Sequence, residues 1–265
     1  VSYAEVNGLR IWYEWHGAGR PLVLLHGGFG STETFAPLLP ALTERRNVLA
    51  VDLQGHGRTA DVDRPLRYES LADDIAALTA QLGLTEVDVL GYSLGGGVAL
   101  RTTIQYPGLV NRLVVVSAPC RRQGWYPETL AEMARQDEAV GERMRGTPAH
   151  RRYHRVAPRP ADWPRLWAKS GELLRRDYDW SAEVAALVLP ILLVFADADS
   201  VTTAHMAEFF GLLGGGRRDA GWDGTGRSAA RLAVLPGLTH YDILSSPALP
   251  AAVLPFLTHP AGPPG

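Results

Sequence analysis

Ser93 stands between two glycines in the stretch Gly91-Tyr92-Ser93-Leu94-Gly95. A serine hydroxyl is a weak nucleophile until it is exposed and paired with a base. A sharp turn from a strand into a helix exposes it. That turn strains the backbone and leaves room beside the serine for glycine only, which accounts for Gly91 and Gly95. The context fits: an apolar run at 87–90 reads as a buried strand, and 94–105 reads as a helix. The chemistry in prospect is attack on a carbonyl carbon. It needs a base, an acid to orient that base, and two N–H donors for the oxygen that becomes negative.

Eight histidines are available as the base. His205 falls within a predicted helix and His259 in the terminal stretch, whereas His240 lies in a loop after the last predicted strand. His240 is therefore the expected base. The acid should precede it in the chain. Asp199 lies three residues beyond an apolar strand at 190–196, where a carboxylate accepts the His240 Nδ1–H and fixes the tautomer. Asp197 competes, with an Asx turn or an ion pair as its ordinary alternative. For the oxyanion, a glycine-rich turn follows the strand at 21–26 and presents the Gly28 N–H, and Leu94, next to the nucleophile, supplies the second. The plainer reading of that turn is a tight strand-to-helix connection without a catalytic role.

These residues need a frame. Residues 1–15 read as a β-hairpin turning at Asn7-Gly8. Strands at 21–26, 47–51, 87–90 and 113–116 alternate with helices at 34–45, 68–82 and 94–105. Such alternation, with strands apolar on both faces, predicts an α/β fold with a parallel sheet. The rhythm breaks at Pro119. Residues 121–185 are helical in pattern and rich in Trp and Arg, and no strand is evident among them. The alternation resumes with the strand at 190–196, a helix at 203–213, a strand at 231–235 and a helix at 248–257. The expected organisation is thus one α/β core, 1–120 with 186–258, a helical insertion over 121–185, and a loose tail at 259–265. The glycine-rich stretch 214–226 reads as a surface loop.

At 265 residues and 46% hydrophobic, the chain has enough apolar material for a sizeable core. A net charge of −2 does not suggest nucleic acid as a partner. No run of 18 apolar residues is present, so no membrane span is expected. Cys120 is the only cysteine, which excludes an intrachain disulfide and fits a reducing, cytoplasmic setting. Neither an H-E-x-x-H motif nor a cysteine pair suggests zinc, and no metal or cofactor is expected.

The landmarks together resemble the α/β-hydrolase superfamily: His26-Gly27-Gly28, Asp52-Leu53-Gln54-Gly55-His56-Gly57, Gly91-Tyr92-Ser93-Leu94-Gly95, Asp197-Ala198-Asp199 and Pro236-Gly237-Leu238-Thr239-His240. They span nearly the whole chain in the family's order. The resemblance implies a mostly parallel eight-stranded sheet flanked by helices, with a helical cap inserted after the sixth strand and mapping onto 121–185. It makes the turn at 52–57 structural, His56 with it. One departure stands out: Ala196 occupies a strand-end position where the family often has glycine. Some relatives draw the acid from the end of the sixth strand, but here Ser117-Ala118-Pro119 offers no carboxylate.

A serine at position 93 argues against the dehalogenases and epoxide hydrolases of this fold, which use aspartate there. The expectation is a carboxylesterase- or lactonase-like serine hydrolase acting on a small-to-medium apolar ester or lactone. Ser93, His240 and Asp199 are its expected triad, and it is expected as a monomer or homodimer. A C–C bond hydrolase of dienoate-like substrates is the alternative, and a weakly catalytic ligand-binding protein is a third reading. Phe29 and Tyr241, beside the two site loops, and Trp125, Tyr126, Trp163 and Trp167 of the insertion are the candidate pocket residues. The same rings have a plain alternative role in packing the insertion together.

Overall fold

The computed structural model describes residues 1–258; the tail at 259–265 lies outside the described residues. Eight strands form one sheet: β1 (Ser2–Val6), β2 (Leu9–Gly17), β3 (Arg20–Leu25), β4 (Arg46–Asp52), β5 (Val87–Tyr92), β6 (Val110–Val116), β7 (Ile191–Ala198) and β8 (Arg231–Thr239). Their spatial order is β1-β2-β4-β3-β5-β6-β7-β8. β1 and β2 run antiparallel to their neighbours, and every pair from β4 across to β8 is parallel. The opening hairpin turns at Asn7 (φ 49°) and Gly8 (φ 75°). Positive φ at both central residues matches the right-handed twist of the flanking strands.

The central strands are apolar throughout because both faces are covered. Along β3, Val23 and Leu25 belong to one core and Leu22 and Leu24 to the other; β7 divides Leu193 and Phe195 from Leu192 and Val194 in the same way. The first core is closed by α2 (Tyr68–Gln81), α3 (Leu94–Gln105) and α9 (Thr203–Leu212). The second lies under α1 (Leu39–Thr43) and α10 (Ala248–Thr258). The period-two alternation of side chains thus feeds two helical layers from one sheet.

Two elements differ from expectation. The single helix expected over 34–45 is a 3₁₀ turn, Thr32–Phe35, followed by the short α1. Pro37 has no N–H to extend the first, and Pro40 sits in the opening turn of the second, where proline is tolerated. The last strand runs four residues past Leu235, because β7 and β8 pair again at Ala198 and Thr239 beyond an irregularity.

Between β6 and β7 the chain builds α4 (Pro127–Ala134), α5 (Glu138–Arg143), α6 (Pro148–Val156), α7 (Trp163–Arg175) and α8 (Ser181–Ala185). Isolated bridges, Arg121 with Asp179 and Trp125 with Val201, tie this segment to itself and to the end of β7. Lys169, the only lysine in the sequence, fastens α7 to the loop after β4. Its ammonium donates to Asp61 Oδ2 (2.6 Å), the Val62 carbonyl (2.7 Å) and the Arg64 carbonyl (2.7 Å). All three donors of the ammonium are used.

Candidate active site

Ser93 occupies the single-residue turn between β5 and α3, at φ 52° and ψ −116°. The turn is tight enough that its glycines are obligatory. A Cβ on Gly91 would lie 2.1 Å from the Gly95 carbonyl oxygen, and one on Gly95 would lie 2.0 Å from that of Leu25. The unfavourable backbone of Ser93 is held by the structure around it, with its N–H on the Val116 carbonyl and its carbonyl starting α3 through Gly97.

Three elements distant in sequence bring their side chains to this point. Ser93 Oγ lies 3.0 Å from His240 Nε2, and His240 Nδ1 lies 2.9 Å from Asp199 Oδ1. Tyr92 anchors the His240 loop by donating its hydroxyl to the His240 carbonyl at 2.7 Å. The rings of Trp125 and Tyr241 meet the imidazole edge to face, at 5.6 and 5.3 Å. Asp199 is 7% exposed, and its carboxylate is held on both oxygens. Ser117 Oγ (2.6 Å) and the Ala196 N–H (3.0 Å) donate to Oδ2, and the Val201 N–H (3.3 Å) donates to Oδ1. Burial pushes this carboxyl up, but the hydrogen bonds from His240, Ser117 and Ala196 outweigh it, and the group stays below the ordinary carboxylate value. Such a chain can lift a proton from the serine and hold the resulting imidazolium.

Asp197 has a different neighbourhood. It is exposed, and its carboxylate accepts from the Leu238 N–H at 3.2 Å. Backbone N–H groups, that of Gly237 foremost, hold it below the ordinary carboxylate range. It closes the β7–β8 end, and the carboxylate that bonds His240 is that of Asp199. His205 is also committed elsewhere: its ring bridges the Cys120 N–H (3.2 Å) and the Glu208 carboxylate (3.0 Å). His56 and His26 are fully buried against one another at 5.2 Å between ring centroids. Burial pushes His56 down to about 4 and His26 to about 3, so both are neutral wedges beneath the site loop.

A cavity of about 200 Å³ opens onto Ser93 and His240. Gly28, Phe29, Leu94, Trp125 and Tyr241 contribute to its wall. Leu94 is the first residue of α3, where a helix has no partner of its own for the N–H. Trp163 and Tyr126 do not line this cavity. Trp163 is fully buried, with its indole N–H on the Gly141 carbonyl at 2.9 Å, and so packs α5 against α7. Tyr126 is 40% exposed at the start of α4. Trp167 stacks on Phe29 at 4.1 Å and lines a second cavity, of about 560 Å³, that shares Gly27, Gly28, Phe29 and Tyr92 with the first. A larger surface groove of about 1060 Å³ runs between α2 and the end of α3. It holds none of the candidate site residues.

Several contributors carried no signal in the sequence: Ser117 behind Asp199, and Met133, Gln136, Ser170 and Leu173 in the wall. The loop at 214–226 lines neither of the two cavities that meet Phe29. Among the described residues, no group of three or more His, Cys, Asp or Glu is arranged to hold a metal ion, and no helix is long and apolar enough to cross a membrane.

Sheet order, nucleophile turn and histidine loop together define a hydrolase-type α/β scaffold, and comparison with known proteins agrees. The model of the alpha/beta hydrolase fold family matches residues 20–205, more than half of the chain, and the chain belongs to that family. It is 38% identical over 106 residues to the sn-1-specific diacylglycerol lipase ABHD11 of Danio rerio, covering 39% of this chain and 33% of the relative. It is 39% identical over 123 residues to the putative carbamate hydrolase RutD of Caulobacter segnis, covering 44% of this chain and 45% of the relative. The matches therefore span between a third and a half of the curated relatives' length. The crystal structure of the enol-lactonase from Burkholderia xenovorans LB400 superposes with a TM-score of 0.70, over 97% of this chain and 100% of that one, at 21% identity. That likeness is one of fold.

Proposed function

We propose that the protein is a serine hydrolase that cleaves a small carboxylic ester or lactone through an acyl-enzyme. The observation that carries this reading is the hydrogen-bonded chain from Ser93 through His240 to Asp199, opening on a cavity of about 200 Å³. His240 Nε2 takes the Ser93 proton as Oγ attacks the carbonyl carbon. The Gly28 and Leu94 N–H groups receive the oxyanion, and His240 then gives the proton to the departing alkoxide. Water, deprotonated by the same imidazole, attacks the acyl group and returns the serine. The helices between β6 and β7 act as the cap that shapes the acyl pocket.

The relatives are named a lipase, a carbamate hydrolase and an enol-lactonase, so family membership does not single out a bond. The cavity does more to select. It is smaller than the roughly 300–1,000 Å³ of drug-sized sites. No Arg or Lys is among the residues that line it, which leaves the carboxylate of a dienoate without a cationic partner and argues against C–C bond hydrolysis.

The test is hydrolysis of p-nitrophenyl esters from acetyl to decanoyl by wild type and Ser93→Ala. The expected result is saturable turnover with a short-chain optimum, lost on Ser93→Ala by on the order of 10⁶ in kcat. A folded protein that turns over none of these esters overturns the esterase reading and favours a ligand-binding role.

A further inference from the structure

The cavity of about 560 Å³ beside the one at Ser93 has no part in the chemistry above. Ser93, Leu94 and His240 line only the smaller of the two, so the larger is a space of its own. Its volume falls within the roughly 300–1,000 Å³ of sites for small molecules. The core contributes Ala36 and Pro37 to its wall, and the insertion contributes Met144, Tyr153, Val156 and Trp167, so most of the lining is apolar or aromatic. Two charged side chains line it, Glu33 and Arg152. Glu33 is already answered on both oxygens: Arg58 donates to Oε1 at 3.0 Å, and Arg155 donates to Oε2. Arg58 also nears Glu14, at 3.8 Å. Arg152 is exposed, and among the described residues it makes no hydrogen bond or ion pair. Two carboxylates, Glu14 and Glu33, thus stand against three guanidiniums, Arg58, Arg155 and Arg152, which leaves one positive charge in excess at the wall. The surrounding chain adds to this field, because residues 143–159 hold six arginines and no Asp or Glu. A cleft lined by one sign of charge concentrates ligands of the other.

We propose that this second cavity is a binding site for an arylalkyl monocarboxylate, with the apolar body on the aromatic wall and the carboxylate on Arg152. A guanidinium meets a carboxylate with two parallel N–H donors. The single charge in excess balances a monocarboxylate and leaves a doubly charged phosphate half answered. Phe29, Tyr153 and Trp167 supply ring faces and edges for an aryl group. The site goes beyond the hydrolase reading and does not depend on Ser93 being a nucleophile.

The three methionines of the chain tell the two cavities apart. Met144 lines the second, Met133 the first, and Met206 is buried in the core. The full-length protein, labelled with carbon-13 at its methionine methyl groups, is titrated with 4-phenylbutanoate and with the neutral isostere 4-phenylbutanamide. The expected result is that 4-phenylbutanoate moves the Met144 signal saturably and leaves those of Met133 and Met206 in place. It is expected to bind about fivefold tighter than the amide, the upper range for an ion pair at an exposed side chain. That preference should fall as salt is raised. Arg152→Gln is expected to remove the preference while the amide still binds. Ala149→Trp, which fills the same cavity from α6, is expected to abolish binding of both. No shift at Met144, a shift at Met133 in its place, equal affinities for acid and amide, or a preference that survives Arg152→Gln overturns the site. Tighter binding of phenyl phosphate than of 4-phenylbutanoate overturns the choice of a monocarboxylate.

Discussion

The Ser117 hydroxyl donates to Asp199 Oδ2 at 2.6 Å, on the carboxylate oxygen that His240 does not use. Ser117 directly follows β6 at φ 53°, and its N–H is paired to the Val194 carbonyl of β7, so the strand register itself fixes the donor. A hydrogen bond to a buried carboxylate is worth about 1.5–3 kcal/mol. Ser117→Ala is expected to lower stability by about that much and kcat/KM by about tenfold. Losing that donor moves the Asp199 carboxyl up toward the ordinary carboxylate value. Urea unfolding and steady-state kinetics on one short ester check both, and a kcat/KM equal to that of wild type excludes the role.

The backbone strain at Ser93 separates stability from activity. A non-glycine residue at φ 52° and ψ −116° costs about 1–3 kcal/mol, and glycine adopts that conformation freely. Ser93→Gly is expected to unfold about 1 kcal/mol later than Ser93→Ala, while both lose activity. Thermal or urea unfolding of the two variants measures the difference. Equal stabilities would mean that the turn stores no strain.

Asp199 and Asp197 stand two residues apart, and only Asp199 reaches His240. Asp199→Asn is expected to leave the fold intact and cost on the order of 10⁴ in kcat, because the amide selects the wrong imidazole tautomer. Asp197→Asn removes an exposed charge but keeps an amide oxygen to accept the Leu238 N–H, and should change kcat less than tenfold. Steady-state kinetics on one short ester compares them, and the reverse ranking would reassign the acid.

What could be read from the chain follows the range of the physics. Strand-turn-helix at Ser93 is local, and sterics force glycines there, so the turn was legible. The double-sided sheet was legible because apolar runs such as 21–25 admit few alternatives. The wall of the cavity was not. Trp163 and Trp167 share a helix face by spacing, and the fold sets them apart: Trp167 stacks on Phe29, while Trp163 meets that ring edge-on and packs inward with its indole N–H on Gly141. Ser117 gains its meaning from the Asp199 carboxylate, and Gln136 and Ser170 reach the cavity wall through long-range packing, which leaves no periodic trace in the sequence. The helix expected across 34–45 failed for a local reason that was legible, the prolines at 37 and 40.

Phe29 contributes the largest apolar side chain shared by the walls of the cavity at Ser93 and of the larger one beside it. Removing the ring should join them. Phe29→Ala is expected to move the acyl optimum toward longer chains. Two newly buried methylenes, at ~0.8 kcal/mol each, raise kcat/KM for a long ester relative to a short one by about tenfold. The p-nitrophenyl ester series reads this ratio directly, and an unchanged optimum would show that the two spaces do not connect through Phe29.

His56 supplies a pH dependence of stability whose sign can be worked out. Burial pushes it down to about 4 in the folded protein, against an ordinary value of 6.5. Below pH 6.5 the unfolded chain therefore takes up a proton that the native state refuses until about pH 4. The contribution is fully present above pH 6.5 and is lost as pH falls toward 4, by up to about 3 kcal/mol. Asp52 acts in the opposite sense: burial pushes it up to about 6, so the native state holds its proton while the unfolded chain has released it. The net slope of the wild type thus mixes signs, and the informative quantity is the difference from His56→Gln, which cannot take up the proton in either state. Urea unfolding at pH 7.5, 6, 5 and 4.5 should show the stability gap between wild type and His56→Gln narrowing steadily as pH falls. A gap independent of pH would mean that His56 is already charged in the fold, or that its ring is not shut away from water.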